Sequence, residues 1–218
     1  MKNTVKKLLF LNPLSSESLA QLNSDPFLIV SSQPLIKIQD QAYDQKDLDP
    51  KIPWVGTSQN AAKRIQHHPL PKKIYCIGQQ TASYFPHAKF PSTSTAHNLA
   101  QLIIENKETD LIYICGQKRR EELPILLKSY SIALKEVIVY KTKTLKKSLN
   151  LQSIDGLAFM SPSAVYSFYE NESFKQHICF AIGPSTAQAL NQLGQQCIIS
   201  KQTHAKSIVD AARQYFNT

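Results

Sequence analysis

Residues 180–190 read FAIGPSTAQAL, and residues 75–85 read YCIGQQTASYF. Each stretch carries an apolar run, then Ile-Gly, then two further residues, then Thr-Ala. Gly183 follows Gly78 by 105 positions (183 − 78), and Thr186 follows Thr81 by the same interval. A short apolar run closed by Gly and followed by a helix-like stretch is typical of a β-strand that leads into an α-helix. The repeat therefore predicts two related α/β domains.

The repeat extends upstream, because VGTSQNAAKRI at 55–65 resembles AFMSPSAVYSF at 158–168 and pairs Ser58 with Ser161. Across the whole chain, strand-like runs alternate with helix-length stretches such as AHNLAQLIIEN. This alternation indicates parallel sheets covered by helices on both faces, giving three-layer domains. The predicted strands are KKLLFL, FLIVS, LIKI, WVGTS, IYCIG, LIYICG, EVIVYKT, GLAFMS, ICFAIG and QCIIS.

The order of these segments predicts a discontinuous first domain. After its copy of the repeat, the middle of the chain continues as strand–helix–strand (111–142), whereas the C-terminal copy has no such continuation. The missing strand–helix–strand lies at the front of the chain, in KKLLFLNPLSSESLAQLNSDPFLIVSSQ. We therefore expect two similar parallel-sheet domains joined by a two-stranded linker. The expected bounds are 1–35 plus 143–218 for the first domain, 38–140 for the inserted second domain, and linkers near 34–40 and 138–145.

Composition narrows the function classes. Hydrophobic residues make up 42% of the 218 positions, and the net charge is +9, which favours an anionic partner. Nucleic acid, a membrane surface and a polyacid metabolite all meet that description. The apolar runs are too short for the roughly 18 residues of a membrane span, and we interpret the N-terminal run as a first strand and expect a cytoplasmic protein. The four cysteines lack metal spacing and are expected to be reduced and buried in strands.

Several chemistries lose support because their motifs are absent. The sequence contains no GxGxxG, no GxxxxGK[ST] and no cluster of metal ligands, so we expect neither a nucleotide cofactor nor a metal. It also lacks Gly-x-Ser-x-Gly, the turn that exposes a serine nucleophile. Ser58 and Ser161 therefore have helix capping as their simplest interpretation.

The two Ile-Gly-x-x-Thr-Ala turns are candidate anion sites. A Gly that closes a parallel strand before a helix leaves backbone N–H groups unpaired, and these groups bind carboxylates. Gly78, Gly183, Ser185, Thr81 and Thr186 belong to this hypothesis. An ordinary strand–helix turn, in which the threonines only cap helices, is the alternative.

Two further stretches contain candidate functional residues. In CGQKRREELP we expect Lys118, Arg119 and Arg120 to lie in the first turn of a helix, where positive charge is unfavourable unless an anionic ligand offsets it. A solvated basic turn eased by Glu121 and Glu122 is the alternative. Tyr140, in VIVYKTKT, lies on the expected linker and can donate a hydrogen bond or a proton, although a half-buried strand tyrosine is the simpler interpretation.

The chain resembles the uroporphyrinogen-III synthase family, on stretches that span roughly residues 54–190. Its most specific element is CGxxRRExLP, followed by VYxT, SPS and IGPxTA. The complete set of similar stretches is VGTSQNA, CIGQQTA, YICGQKRREELP, VIVYKT, FMSPSAV and AIGPSTAQAL.

The resemblance implies a discontinuous two-domain fold and an enzyme without a cofactor that acts on hydroxymethylbilane, a linear tetrapyrrole with eight carboxylates. The implied reaction removes the terminal hydroxyl as water and inverts ring D through a spiro intermediate. Tyr140 would assist departure of the hydroxyl, and Tyr140→Phe should be the most damaging substitution. The implied substrate-binding set, in a basic cleft between the lobes, is Ser58, Gly78, Thr81, Gly116, Arg120, Ser161, Gly183, Ser185 and Thr186.

The sequence differs from the family pattern in one loop, and two other functions are alternatives to the enzyme. Many members of the family carry Thr-Arg-Pro after the first strand, where this chain has Leu11-Asn12-Pro13, which puts a carboxylate contact from that loop in doubt. A two-lobed cytoplasmic module that binds small anions without catalysis is the main alternative. A nucleic-acid binder is a more distant one, because the basic residues are scattered. The enzyme is expected to be a monomer that binds neither nucleic acid nor membrane.

Overall fold

The structure is a computed structural model that describes residues 5–24, 26–174 and 177–216. Each of the ten apolar segments predicted to be strands contains one. The strands are β1 (Lys6–Phe10), β2 (Leu28–Ser32), β3 (Ile36–Asp40), β4 (Trp54–Gly56), β5 (Ile74–Cys76), β6 (Asp110–Gly116), β7 (Ala133–Thr144), β8 (Gly156–Phe159), β9 (Ile178–Ala181) and β10 (Cys197–Ile199). The helices are α1 (Ser16–Leu22), α2 (Gln59–Ile65), α3 (Gln79–Ala82), α4 (Ala96–Glu105), α5 (Glu122–Ser129), α6 (Pro162–Asn171), α7 (Pro184–Gln192) and α8 (Ala205–Phe216).

The strands form two five-stranded sheets. The first has the order β10-β9-β8-β1-β2, with parallel pairing throughout. The second has the order β3-β7-β6-β4-β5 and is parallel from β7 to β5. Its edge strand β3 is antiparallel to β7, because Gln41 N–H donates to Val139 while Leu145 N–H donates to Leu35.

The two sheets share one core order, which follows the sequence repeat. The repeat equates β4 with β8 and β5 with β9, and the order β5-β4-β6-β7 then corresponds to β9-β8-β1-β2. The front of the chain therefore supplies the strands that the C-terminal half lacks, with Leu8 in register with both Val30 and Gly156. The predicted discontinuous first domain is confirmed.

Alternation along the strands of the first sheet separates two cores. On one face, Leu9, Leu157 and Phe159 pack with apolar side chains of α6 and α7. On the other face, Leu8 and Phe10 pack with apolar side chains of α1 and α8. Burying each such side chain stabilises the fold by about 1.5–3 kcal/mol, so the three-layer arrangement follows from the apolar character of both faces.

The second sheet is built in the same way. Trp54 and Ile112 face a core completed by α2 and α3. Val55, Tyr75 and Tyr113 face the opposite core, which α4 and α5 complete. Each sheet thus has helices on both of its faces, which is the predicted three-layer architecture.

The chain divides into two compact units, Met1–Lys37 with Lys143–Thr218, and Ile38–Thr142. The chain passes from one unit to the other within β3 and again within β7. These two strands are neighbours, and Leu145 N–H donates to the carbonyl of Leu35 at 2.7 Å.

Residues 41–53, which match no part of the repeat, cover one core of the inserted unit. Tyr43 and Ile52 pack against the core that contains Trp54, and Leu48 is buried in it. The indole Nε1 of Trp54 donates to the carbonyl of Asp49 at 3.2 Å. This segment therefore adds to the cover that α2 and α3 give this side of the sheet.

Candidate functional site

In the inserted unit, the predicted site residues meet at the carboxyl ends of the parallel strands. Ser58 lies two residues after β4, Gly78 lies two residues after β5, and Gly116 closes β6. In open α/β sheets, ligands bind at this edge because the strands end there and the following helices begin there.

Ser58 and Tyr140 form the central contact of this edge. Ser58 is the N-cap of α2, and its Oγ accepts from the N–H of Ala61 at 3.4 Å. The same Oγ lies 2.9 Å from the Oη of Tyr140, from which 82 residues separate it. Capping, the simpler interpretation of Ser58, is therefore correct, and the same hydroxyl also contacts the predicted catalytic tyrosine.

A bulge in β7 directs Tyr140 toward this edge. Cys115 is in register with Ile138, but Gly116 is in register with Tyr140, so Val139 is passed over. Strict alternation would place the side chains of Val139 and Tyr140 on opposite faces, whereas both pack against the core that contains Trp54. Bulges commonly redirect a side chain in this way.

Gly116 leaves the space that the Tyr140 ring occupies. A Cβ on Gly116 would overlap the tyrosine ring and would lie within 2.7 Å of its hydroxyl oxygen. This close approach is the reason that glycine is required here. The backbone conformation is not the reason, because Gly116 does not lie in the left-handed region.

At the second turn of this unit, Gly78 precedes the four-residue helix α3. The described part of the chain offers no acceptor for the N–H groups of Gln79 and Gln80 and no partner for the hydroxyl of Thr81. Thr81 is buried and is not the cap, since Gly78 occupies that position. With only four residues, α3 contributes little dipole, and a Cβ on Gly78 would overlap the Ser94 hydroxyl.

The unit formed by the chain ends repeats this arrangement. Ser161 caps α6, with its Oγ 3.3 Å from the donating N–H of Ala164. Gly183 precedes α7, with Pro184 in the first turn, Ser185 half-buried and Thr186 buried. Among the described residues, neither the Ser185 N–H nor the Thr186 hydroxyl has a hydrogen-bond partner.

Gly183 has no structural reason to be glycine. Its φ of 175° is extended backbone that any residue adopts. A Cβ there would meet only a methyl carbon of Thr203, at an ordinary 3.6 Å. An added methyl group would therefore fit at this position without a clash.

Asn12, which the sequence marks only as a departure from the family, contacts the candidate site residue Ser161. Its Oδ1 accepts from the N–H of Met160 at 2.7 Å, and its Nδ2 donates to the Ser161 Oγ at 3.0 Å. The buried amide thus ties the end of β1 to the end of β8 and fixes the Ser161 hydroxyl. The Asn-Pro pair after an apolar strand was the only signal of this role in the sequence.

The prediction that Lys118, Arg119 and Arg120 lie in the first turn of a helix is wrong. Helix α5 begins at Glu122, with Glu121 as N-cap, and the three basic residues lie in the preceding loop. Arg119 pairs with Glu121 and with Glu136 of β7, and the bond to Glu136 is the main cause that raises the pKa of Arg119. Arg120 is exposed, so a ligand can reach it.

The cysteines are free thiols in apolar surroundings. Burial raises the pKa of Cys76, Cys115 and Cys179 to about 12, and it also raises the pKa of Cys197. A thiol that stays protonated is a poor nucleophile and a poor metal ligand.

Comparisons with known proteins show the family of the chain. Residues 17–210 match the family model described as uroporphyrinogen-III synthase HemD. The chain belongs to the uroporphyrinogen-III synthase family. The Saccharomyces cerevisiae uroporphyrinogen-III synthase is 25% identical over 227 aligned positions, which cover 89% of this chain and 78% of the yeast protein.

Two solved structures share the fold of the whole chain. The uroporphyrinogen-III synthetase of Helicobacter pylori is 17% identical, with a TM-score of 0.67, covering 97% of this chain and 100% of that one. A mutant uroporphyrinogen III synthase of Thermus thermophilus is 14% identical, with a TM-score of 0.68, covering 98% and 99%. The two-domain α/β fold is therefore that of solved members of the family.

Family membership decides between the competing functions. The activity is that of a uroporphyrinogen-III synthase, a hydro-lyase of tetrapyrrole biosynthesis, rather than anion binding without catalysis. The family implies hydroxymethylbilane as the substrate. No helix within the described residues is long and apolar enough to cross a membrane.

Proposed function

We propose that the chain cyclises hydroxymethylbilane to uroporphyrinogen III and water, with Tyr140 as the proton donor. The Tyr140 hydroxyl gives its proton to the terminal hydroxyl, which leaves as water, and the adjacent pyrrole nitrogen supplies the electron pair that forms the azafulvene. The substituted α-carbon of ring D then bonds to this methylene carbon, giving the spiro intermediate. The older bond between ring D and the ring C methylene breaks, its electron pair returning to ring D while the ring C nitrogen stabilises the methylene as a second azafulvene. The free α-carbon of ring D bonds to this methylene and closes the macrocycle, and the proton it loses restores Tyr140.

The 2.9 Å contact between Ser58 and Tyr140 is the observation that supports this role. Either hydroxyl can be the donor in this contact, and we assign the shared proton to Ser58, whose Oγ also accepts from the N–H of Ala61. In that arrangement the Tyr140 proton is free to point at a substrate. Consecutive hydrogen bonds polarise one another, so the series from Ser58 through Tyr140 to the substrate favours proton donation by the tyrosine.

Substrate carboxylates are proposed to bind at the carboxyl edges of the strands. Suitable donors are the N–H groups of Gln79, Gln80 and Ser185 and the hydroxyls of Thr81 and Thr186, none of which has a hydrogen-bond partner among the described residues. Helix α7 has nine residues, so its dipole adds to the attraction for an anion. The exposed Arg120, the hydroxyl of Ser161 and the net charge of +9 complete an environment suited to a polycarboxylate.

In this proposal, catalysis rests on holding a bent substrate and stabilising a cationic intermediate, without a covalent nucleophile. The enzyme is proposed to act as a cytoplasmic monomer without cofactor, and to bind neither nucleic acid nor membrane. We also retain as proposals the two folding domains, 1–35 with 143–218 and 38–140; residues 1–4 and 217–218 lie outside the described part.

The test is incubation of the protein with freshly prepared hydroxymethylbilane, followed by oxidation and chromatographic separation of the porphyrin isomers. The type III isomer should exceed type I, whereas a blank without protein should give type I, because the substrate closes unaided to that isomer. Tyr140→Phe should lower kcat about 100-fold, the lower range for loss of a general acid. An isomer ratio equal to the blank would overturn the activity, and full turnover with type III selectivity in Tyr140→Phe would overturn the role of Tyr140.

A further inference from the structure

We propose that Arg64 is a positioning residue for the cyclisation, and that it fixes the direction of the Tyr140 hydroxyl by lying on the tyrosine ring. This inference rests on the role proposed above for Tyr140. Arg64 comes from the last turn of α2, six residues after Ser58, and lies outside the stretch VGTSQNA on which the family resemblance rests.

The contacts of Arg64 hold its guanidinium in one place. Its Nε pairs with a carboxylate oxygen of Asp40 at 2.5 Å, and its Nη1 donates to the carbonyl of Asn60 at 2.7 Å. The guanidinium carbon lies 5.4 Å from the centre of the Tyr140 ring, over its face. A cation in this position is attracted by the electron-rich face of the ring.

Asp40 anchors this arrangement on the strand that neighbours Tyr140. It closes β3, and the next residue, Gln41, donates its N–H to the carbonyl of Val139, directly before Tyr140 in β7. The Asp40 side chain is 82% exposed, so its ion pair contributes little to stability by itself. The ion pair does, however, hold Arg64 beside β7.

Three groups then define the position of the tyrosine ring. Gly116 leaves space for the ring, Ser58 contacts the hydroxyl oxygen, and Arg64 lies on the face. Without Arg64, the half-buried ring would lose one of these three constraints and its hydroxyl would sample more directions. A planar guanidinium can bond Asp40 and Asn60 and stack on a ring at once, which a lysine ammonium cannot do.

The test compares Arg64→Gln, Arg64→Lys and Asp40→Asn with the control Lys63→Gln, which removes a charge from an exposed position of the same helix. Arg64→Gln should lower kcat about tenfold, as expected for a displaced catalytic group, and leave KM within about twofold. Arg64→Lys and Asp40→Asn should fall between Arg64→Gln and the parent, and Lys63→Gln should match the parent. In a Tyr140→Phe background, Arg64→Gln should change kcat by less than about twofold, because coupled residues are not additive.

A second readout separates this inference from the role of Tyr140 itself. In protein labelled with ¹³C at tyrosine Cζ, the Tyr140 resonance is assigned by its absence in Tyr140→Phe, and Arg64→Gln should shift or broaden it. An unchanged resonance, an undiminished effect in the Tyr140→Phe background, or a higher KM at constant kcat would overturn the positioning role; the last result would assign Arg64 to a substrate carboxylate. Full activity of Tyr140→Phe would overturn the proton donor and with it the part of Arg64 in the cyclisation, whereas the resonance would still show whether Arg64 fixes the ring.

Discussion

The hydroxyl oxygens of Ser58 and Tyr140 lie 2.9 Å apart, although the two residues are distant in the sequence. Ser58 caps α2, the first α-helix of the inserted unit, and Tyr140 lies in β7, the last strand of that unit. Ser58 therefore has two roles that substitutions can separate. Its Oγ caps α2, which affects stability, and it contacts the proposed proton donor, which affects activity.

Ser58→Ala should lower both quantities. Loss of the cap should reduce the free energy of unfolding by about 1 kcal/mol, and loss of one hydrogen bond to Tyr140 should reduce kcat about tenfold. Ser58→Gly should restore most of the stability but none of the activity, because glycine is a tolerable N-cap without a hydroxyl. Urea unfolding and the isomer assay measure the two effects.

Ser15→Ala is the matched control, because the Ser15 Oγ caps α1 in the other unit by accepting from the N–H of Ser18. It should cost a similar stability and leave kcat unchanged. Equal activity of Ser58→Gly and the parent would contradict a catalytic contact.

Gly116→Ala should nearly abolish activity while the protein stays folded. The added Cβ overlaps the ring of Tyr140, which must move away from Ser58. Gly56→Ala is the control, since a Cβ on that strand glycine has open space within 4 Å. We expect Gly116→Ala to approach the kcat of Tyr140→Phe, and a variant carrying both changes to be no worse than either. Comparable kcat in the two alanine variants would count against the predicted crowding.

Gly183→Ala should leave stability within about 0.5 kcal/mol of the parent, since the position is extended and uncrowded. It should raise KM several-fold, because the methyl group occupies the space above the turn where we expect a carboxylate. Gly194→Ala should show the reverse pattern: Gly194 has φ of 73°, so alanine costs about 1–2 kcal/mol of stability without touching the substrate. An unchanged KM for Gly183→Ala would remove this turn from the substrate site.

Asn12→Ala should destabilise the unit formed by the chain ends by about 1–3 kcal/mol, because the N–H of Met160 loses its acceptor. Asn12→Asp should be milder, since a carboxylate accepts from both Met160 and the Ser161 hydroxyl. Thermal and urea unfolding of the two variants test this order. If Asn12→Ala is as stable as the parent, the amide does not hold the two strand ends together.

Stability should fall at alkaline pH. Burial raises the pKa of Cys76, Cys115 and Cys179 from 9.0 to about 12, so between these values the unfolded chain releases protons that the folded chain keeps. Stability is then fully present below about pH 9 and is lost as the pH rises toward 12. Burial raises the pKa of Tyr113 to about 12 and acts in the same direction. Urea midpoints at pH 7.5, 9 and 10.5 check the sign, which a rising midpoint would reverse.

Much of the fold could be predicted because the signals were repeated. Two copies of Ile-Gly-x-x-Thr-Ala fixed the strand–helix turns at Gly78 and Gly183, and the unequal continuation of the copies revealed that the front of the chain completes the other sheet. These patterns are local, and each strand needed only its own apolar run to be recognised.

The parts that could not be predicted depend on contacts between distant segments. The bulge that turns Tyr140 toward Ser58 is set by pairing with β6 and leaves no mark in the residues of β7. The basic residues before α5 were placed in a helix because they precede a helical pattern, whereas Glu136 of β7 holds Arg119 in the loop. Nothing in the sequence distinguishes Arg64 from other helical arginines, because its contacts with Tyr140 and Asp40 arise only in the folded protein.

The position of β1 between β8 and β2 has a consequence for biosynthesis. Leu8 pairs with Val30 on one side, but its other neighbour, Gly156, is translated 148 residues later (156 − 8). At about 5–20 residues per second, a ribosome needs roughly 7–30 s to supply that partner. Throughout this interval the face of β1 that contains Leu9 lacks α6 and α7, which cover it in the folded protein, so this apolar face is one that a chaperone can protect.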